Sequence, residues 1–117
     1  MSAARDRSPA VTLEAVLAGV VDAVPAGVAL NDLVLDSREV VPGVAFAACA
    51  GSLGHGLDHL DEALAAGAVA VLFEPAGAPN PTAARAACQA AGVPLIAVPG
   101  LAHQVGELAA RVHGRPA

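Results

Sequence analysis

Leu101, Val105, Leu108 and Val112 recur at spacings of four, three and four, which is the rhythm of one helix face, and Gly114 and Pro116 close that segment. Asn80-Pro81 opens another helix that runs through Ala91 and ends at Gly92, with proline in the first turn and glycine just past the last. The runs before these helices have strand length. Val44 to Cys49 and Val69 to Phe73 are continuously apolar, as strands covered on both faces are. Val93 to Val98 pairs with the second of them and carries Pro94 near its start, where a missing donor costs least.

The first half of the chain is more broken. Thr12 can cap a short helix with Leu13, Val16, Leu17 and Val20 on one face, closed by Pro25 and Gly27. Val28 to Leu30 and Leu33 to Leu35 read as short extended pieces. Asp36-Ser37-Arg38 then leaves the strand, and Val41-Pro42-Gly43 turns the chain. Three glycines between Gly51 and Gly56 predict a loop. Asp58 is expected to cap the next helix, with Asp61 and Glu62 in its first turn, Leu60 and Leu64 on one face and Gly67 as its stop. Strands alternate with helices, which predicts a layered α/β domain with parallel pairs. Residues 1–11 read as a flexible tail and 12–117 as one domain, with Pro75 to Pro81 a surface loop inside it.

Composition narrows the function classes. The 117 residues are 56% hydrophobic and 15% charged, enough apolar chain for a core without staples. Phe46 and Phe73, both on predicted strands, are the only aromatic residues. All six basic residues are arginine, so no P-loop lysine, lysine Schiff base or lysine general base is available. The net charge of −5, without a basic cluster or aromatic platforms, argues against nucleic acid. No apolar run has bilayer length and no signal-peptide core follows Met1, so no membrane contact and a cytoplasmic location are expected. Cys49 and Cys88 read as small buried hydrophobes.

Candidate chemistry gathers where polar loops follow strands, since ligands of open α/β sheets sit at strand carboxyl ends. The Asp36 to Arg38 loop and the Gly51 to Gly56 loop each follow a strand. The Ser37 and Ser52 hydroxyls could bond a ring carbonyl or imide, and glycine-loop backbone could read the edge of a planar base. The competing reading is local turn chemistry at Asp36 and Ser37. A dinucleotide half, ending on Glu74, is a weaker rival, because Gly51, Gly54 and Gly56 run G-x-x-G-x-G rather than G-x-G-x-x-G. His55 and His59 read as solvated helix-cap residues rather than zinc ligands, and His103 and His113 as helix-surface groups.

One longer string joins these features. Leu35-Asp36-Ser37-Arg38-Glu39-Val40-Val41-Pro42-Gly43-Val44-Ala45-Phe46, with Gly67-Ala68-Val69-Ala70-Val71-Leu72-Phe73-Glu74 downstream, closely resembles the N-terminal domain of the Mur ligases. Within that family it is most similar to the UDP-N-acetylmuramoyl-tripeptide synthetases. His113-Gly114-Arg115-Pro116 resembles the family's link into its ATP domain. The resemblance implies a single three-layer α/β domain with a mixed, partly parallel sheet of the uridine-binding type. It implies UDP-moiety contacts at Leu35, Ser37, Ser52, Leu53 and Gly54, supported by Asp36, Arg38, Gly51, His55 and Gly56, with no catalytic residue and no metal site in this chain. It further implies a longer parent ligase, with ATP-binding and C-terminal domains. That ligase would add meso-diaminopimelate to UDP-N-acetylmuramoyl-L-alanyl-D-glutamate through an acyl phosphate, using ATP and magnesium, and the 117 residues alone would not catalyse. Two departures stand out: Val44 replaces the aspartate of Pro-Gly-Asp-x-Phe, and His55-Gly56-Leu57-Asp58-His59 replaces Asp-Gly-x-x-Phe. The alternatives are a stand-alone nucleotide-binding or regulatory module of the same fold and an NAD(P)-dependent oxidoreductase fragment.

Overall fold

The computed structural model describes residues 11–21, 24–51 and 54–112. Its centre is a four-stranded parallel sheet of β3 (Asp32–Val34), β4 (Val44–Ala48), β7 (Ala70–Phe73) and β8 (Leu95–Ala97), in that spatial order. Val34 lies opposite Phe46, Phe46 opposite Val71 and Val71 opposite Leu95. Successive side chains along a strand point to opposite faces, and the two cores follow that alternation. Leu33, Ala45, Ala47, Ala70, Leu72 and Ile96 meet α1 (Leu13–Val16) and α4 (Leu101–Val112) on one face. Phe46, Ala48, Val71 and Phe73 meet α2 (Leu60–Ala65) and α3 (Pro81–Ala91) on the other. The result is three layers, with both phenylalanines on sheet strands as expected.

Antiparallel pairing sits outside the main sheet, in two small ribbons. The first pairs β1 (Val11–Thr12) with β2 (Ala29–Leu30), so Val11, counted with the tail in the sequence reading, is a strand residue opposite Leu30. The second pairs β5 (Ala50–Gly51) with β6 (Gly54–His55), where a loop is expected from the glycines. Gly54 reaches φ 146°, a backbone angle that side chains resist.

The starts of α1 and α3 obey local chemistry and the start of α2 is the exception, while α1 ends at Val16, short of the expected Pro25 and Gly27 stop. Thr12 Oγ1 accepts from Ala15 N at 3.2 Å. Asn80 Oδ1 accepts from Ala83 N at 3.1 Å, and Gly92 at φ 72° ends α3. The exception is α2, which starts at Leu60 and not after Asp58. A 3-10 turn, Gly56–His59, precedes it; His55 is the cap of that turn, and Asp58 is its reciprocal partner, accepting from His55 N at 3.1 Å. Arg111 on α4 donates through Nη1 to Val16 O at 2.9 Å and Ala18 O at 2.8 Å, tying the far end of the chain to the end of α1. Among the described residues no helix is long and apolar enough to cross a membrane.

Candidate functional site

Parallel strands place the carboxyl ends of β3 and β4 side by side, and the segments leaving them frame an open cleft of about 500 Å³. Leu35 to Arg38 form one wall. Phe46 and Gly56 line it from β4 and the following turn, and His59 and Glu62 line it from the opposite side. Leu35 is 51% exposed, unusual for a leucine in so apolar a chain.

Asp36 caps the 3-10 turn Ser37–Glu39. Its Oδ1 accepts from Arg38 N at 2.9 Å and Arg38 Nε at 3.1 Å, and its Oδ2 from Arg38 Nη2 at 2.8 Å. The Arg38 guanidinium, with the Arg38 backbone N–H second, holds the Asp36 carboxyl down from its ordinary 3.8 to about 2. The same pairing raises Arg38. The local-turn reading of Asp36 is therefore correct, and it serves to aim Ser37 inward. Ser37 is 6% exposed, and its hydroxyl donates to Glu62 Oε1 at 2.7 Å.

His55 caps its turn as expected but is buried, not solvated. Nδ1 accepts from Leu57 N at 3.0 Å, which puts the ring proton on Nε2, and Nε2 donates to Glu74 O at 2.7 Å. Both ring nitrogens are committed to the protein, so His55 braces the hairpin against β7. Glu74 is committed as well: Oε1 accepts from Leu101 N at 3.1 Å and Oε2 from Ala76 N at 3.2 Å. The acid that would hold a ribose in a dinucleotide half instead caps α4. The glycines likewise form a ribbon and a 3-10 turn, not the opening of a helix on which a pyrophosphate could rest.

Gly56 explains itself by contact. A Cβ there would lie 2.6 Å from Ala48 Cα and 2.9 Å from Ala48 Cβ, so only glycine lets the turn close on the end of β4. Gly51 and Gly54 pair within the ribbon, with Gly54 exposed. Ser52 and Leu53 lie outside the described residues, as does the 113–116 tail. Of the expected contacts, Leu35 and Ser37 share the cleft with Asp36, Arg38 and Gly56. His55 stands behind it.

Cys88 is buried, and burial pushes its thiol up. Cys49, expected to be buried, is only half-buried; desolvation, then the Glu74 charge, raises it. His103 lies exposed on α4, as its helix position predicts. Sequence reasoning missed Glu62, assigned only to a helix first turn, and the placement of His59 and Phe46 on the cleft. The Ser37–Glu62 contact spans 25 positions, and no local pattern signals a contact at that range.

Residues 30–113 match the family described as Mur ligase family, catalytic domain. Among curated relatives, a UDP-N-acetylmuramoyl-L-alanyl-D-glutamate--2,6-diaminopimelate ligase of Alkalilimnicola ehrlichii is 55% identical over 89 residues, covering 74% of this chain and 18% of the relative. Proteins of the same name from Xanthomonas oryzae pv. oryzae and Xylella fastidiosa are 46% and 48% identical, covering 80% and 76% of this chain and 17% and 16% of the relatives. The chain thus spans less than a fifth of the length of these curated relatives.

Proposed function

Since this chain belongs to the Mur ligase family, we propose that it is the nucleotide-binding portion of a peptidoglycan-precursor ligase and that its cleft holds the uridine end of UDP-N-acetylmuramoyl-L-alanyl-D-glutamate. The observation that carries this reading is the cleft at the carboxyl ends of β3 and β4, with Ser37 aimed into it and Leu35 half-exposed on its rim. A planar base laid on Leu35 would cover apolar surface otherwise left in water. Arg38 offsets the charge of Asp36, so Glu62 gives the lining its net acid, which suits a neutral base with an N–H edge better than a phosphate. The remaining UDP-moiety contacts are assigned to Ser52, Leu53 and Gly54, in the segment that follows β4 in the sequence.

The full ligase reaction would join a diamino acid, meso-diaminopimelate, to the peptide carboxyl. ATP and magnesium would act in other parts of that ligase. This chain has no lysine for a phosphate loop, and among the described residues no three metal-ligating side chains come together. Its own contribution is to bind and orient the nucleotide so that the peptide end is held for chemistry elsewhere.

Calorimetric titration of the 117-residue chain with UDP-N-acetylmuramoyl-L-alanyl-D-glutamate, UDP and NAD tests the reading. Saturable binding of both uridine compounds and none of NAD is expected. Folded protein that ignores UDP, or takes NAD equally well, refutes it.

A further inference from the structure

We propose that Glu62 is a positioning residue that fixes the hydrogen-bond polarity of Ser37 and so makes the cleft prefer a uracil edge to a cytosine edge; this rests on the uridine reading above. An ionised carboxylate only accepts hydrogen bonds, so the proton of the 2.7 Å contact must come from Ser37 Oγ. Ser37 has one hydroxyl proton, and Glu62 takes it. What remains on Oγ is lone pairs, and Ser37 lines the cleft while only 6% exposed. A serine that could ordinarily donate or accept is thereby set to accept.

With Oγ set opposite N3 of the base, that setting distinguishes the two pyrimidines. Uracil carries a proton on N3 and can donate to Oγ. Cytosine carries a lone pair on N3, which would face the lone pairs of Oγ unless the hydroxyl turned away from Glu62 and left a carboxylate oxygen without its bond. Glu62 sits on α2, whereas Ser37 precedes β4, so their meeting is made by the packing of α2 over the sheet. Neither residue alone states a preference; the pair does.

Glutamine at position 62 keeps the size and removes the setting. Its amide can donate to Ser37 Oγ, freeing the hydroxyl proton to meet a cytosine N3. UDP and CDP are titrated against the wild-type chain, Glu62→Gln, Ser37→Ala and the double variant, each confirmed folded by circular dichroism. The wild type is expected to prefer UDP, and Glu62→Gln to shrink the UDP-to-CDP affinity ratio by roughly tenfold. In the Ser37→Ala background the same substitution is expected to leave the ratio unmoved, because the residue it acts through is gone. A Glu62→Gln variant that keeps the wild-type ratio overturns the inference while the uridine reading stands. A folded wild type that binds neither nucleotide, or both equally, overturns the inference, and absence of UDP binding removes the uridine reading with it.

Discussion

Replacing Gly56 by alanine adds a single methyl group at the joint between β4 and the cleft, and the structure sets the sign of the result. The new Cβ would stand 2.6 Å from Ala48 Cα, 2.9 Å from its Cβ and 3.0 Å from its carbonyl carbon. Those atoms belong to the fully buried end of β4, paired with Phe73 of β7, so they cannot yield as the tip of a flexible side chain could. Overpacking of this kind costs about 1–3 kcal/mol. Alanine also narrows the unfolded ensemble, which offsets about 0.4–1 kcal/mol. The net expectation is destabilisation of about 1 kcal/mol, or a melting temperature lowered by roughly 4–8 °C for a domain of this size. Gly106 supplies the control: it lies inside α4, exposed, with nothing within 4 Å of the added Cβ. There the same substitution should stabilise by about 1 kcal/mol, because alanine is the better helix former. Thermal and urea denaturation of both variants beside the wild type decides the matter. A Gly56→Ala protein that melts at or above the wild-type temperature would refute the close packing of the turn on Ala48, and with it the shape of the cleft.

Ser37→Ala should weaken UDP binding by about 1 kcal/mol through loss of one hydrogen bond, read by calorimetry; unchanged affinity counts against Ser37 as a contact. Asp36 should titrate near 2 in carboxyl NMR, its depressed value giving a contribution to stability that is present above pH 3.8 and lost as pH falls through about 2. Arg38→Ala should return that midpoint toward the ordinary carboxylate value, and a midpoint already there in the wild type would contradict the pairing. Arg111→Met should cost about 1 kcal/mol or more in urea unfolding, since two carbonyls at the end of α1 lose a charged donor. Cys88 should resist iodoacetamide at neutral pH in the native state and react quickly in denaturant; rapid native labelling would mean that α3 opens.

Where a structural feature depends on neighbours in the chain, the sequence determined it. Asn80, Pro81 and Gly92 bound α3 at the residues their chemistry predicts, because capping and a positive φ are settled within one turn. The apolar runs became parallel strands, and the leucines and valines of α4 face the core, since burial of a periodic stripe needs no knowledge of what covers it. The Leu35 to Phe46 string carried the family in its own letters. Tertiary structure decided the rest. The glycines between 51 and 56 allow a loop, a ribbon or a helix start equally, and the choice came from Ala48 beneath Gly56 and from Glu74, whose carbonyl holds His55 from 19 positions away. Asp58 has a capping side chain in any case, but whether it begins a helix or braces His55 depends on where β7 sits. Glu62 reads as one more acid in a helix first turn until α2 is laid against the end of β3, and only then does its carboxylate meet the Ser37 hydroxyl. A contact between residues 25 positions apart leaves no periodic trace in one sequence, because the backbone path that closes it is set by the packing of the whole sheet.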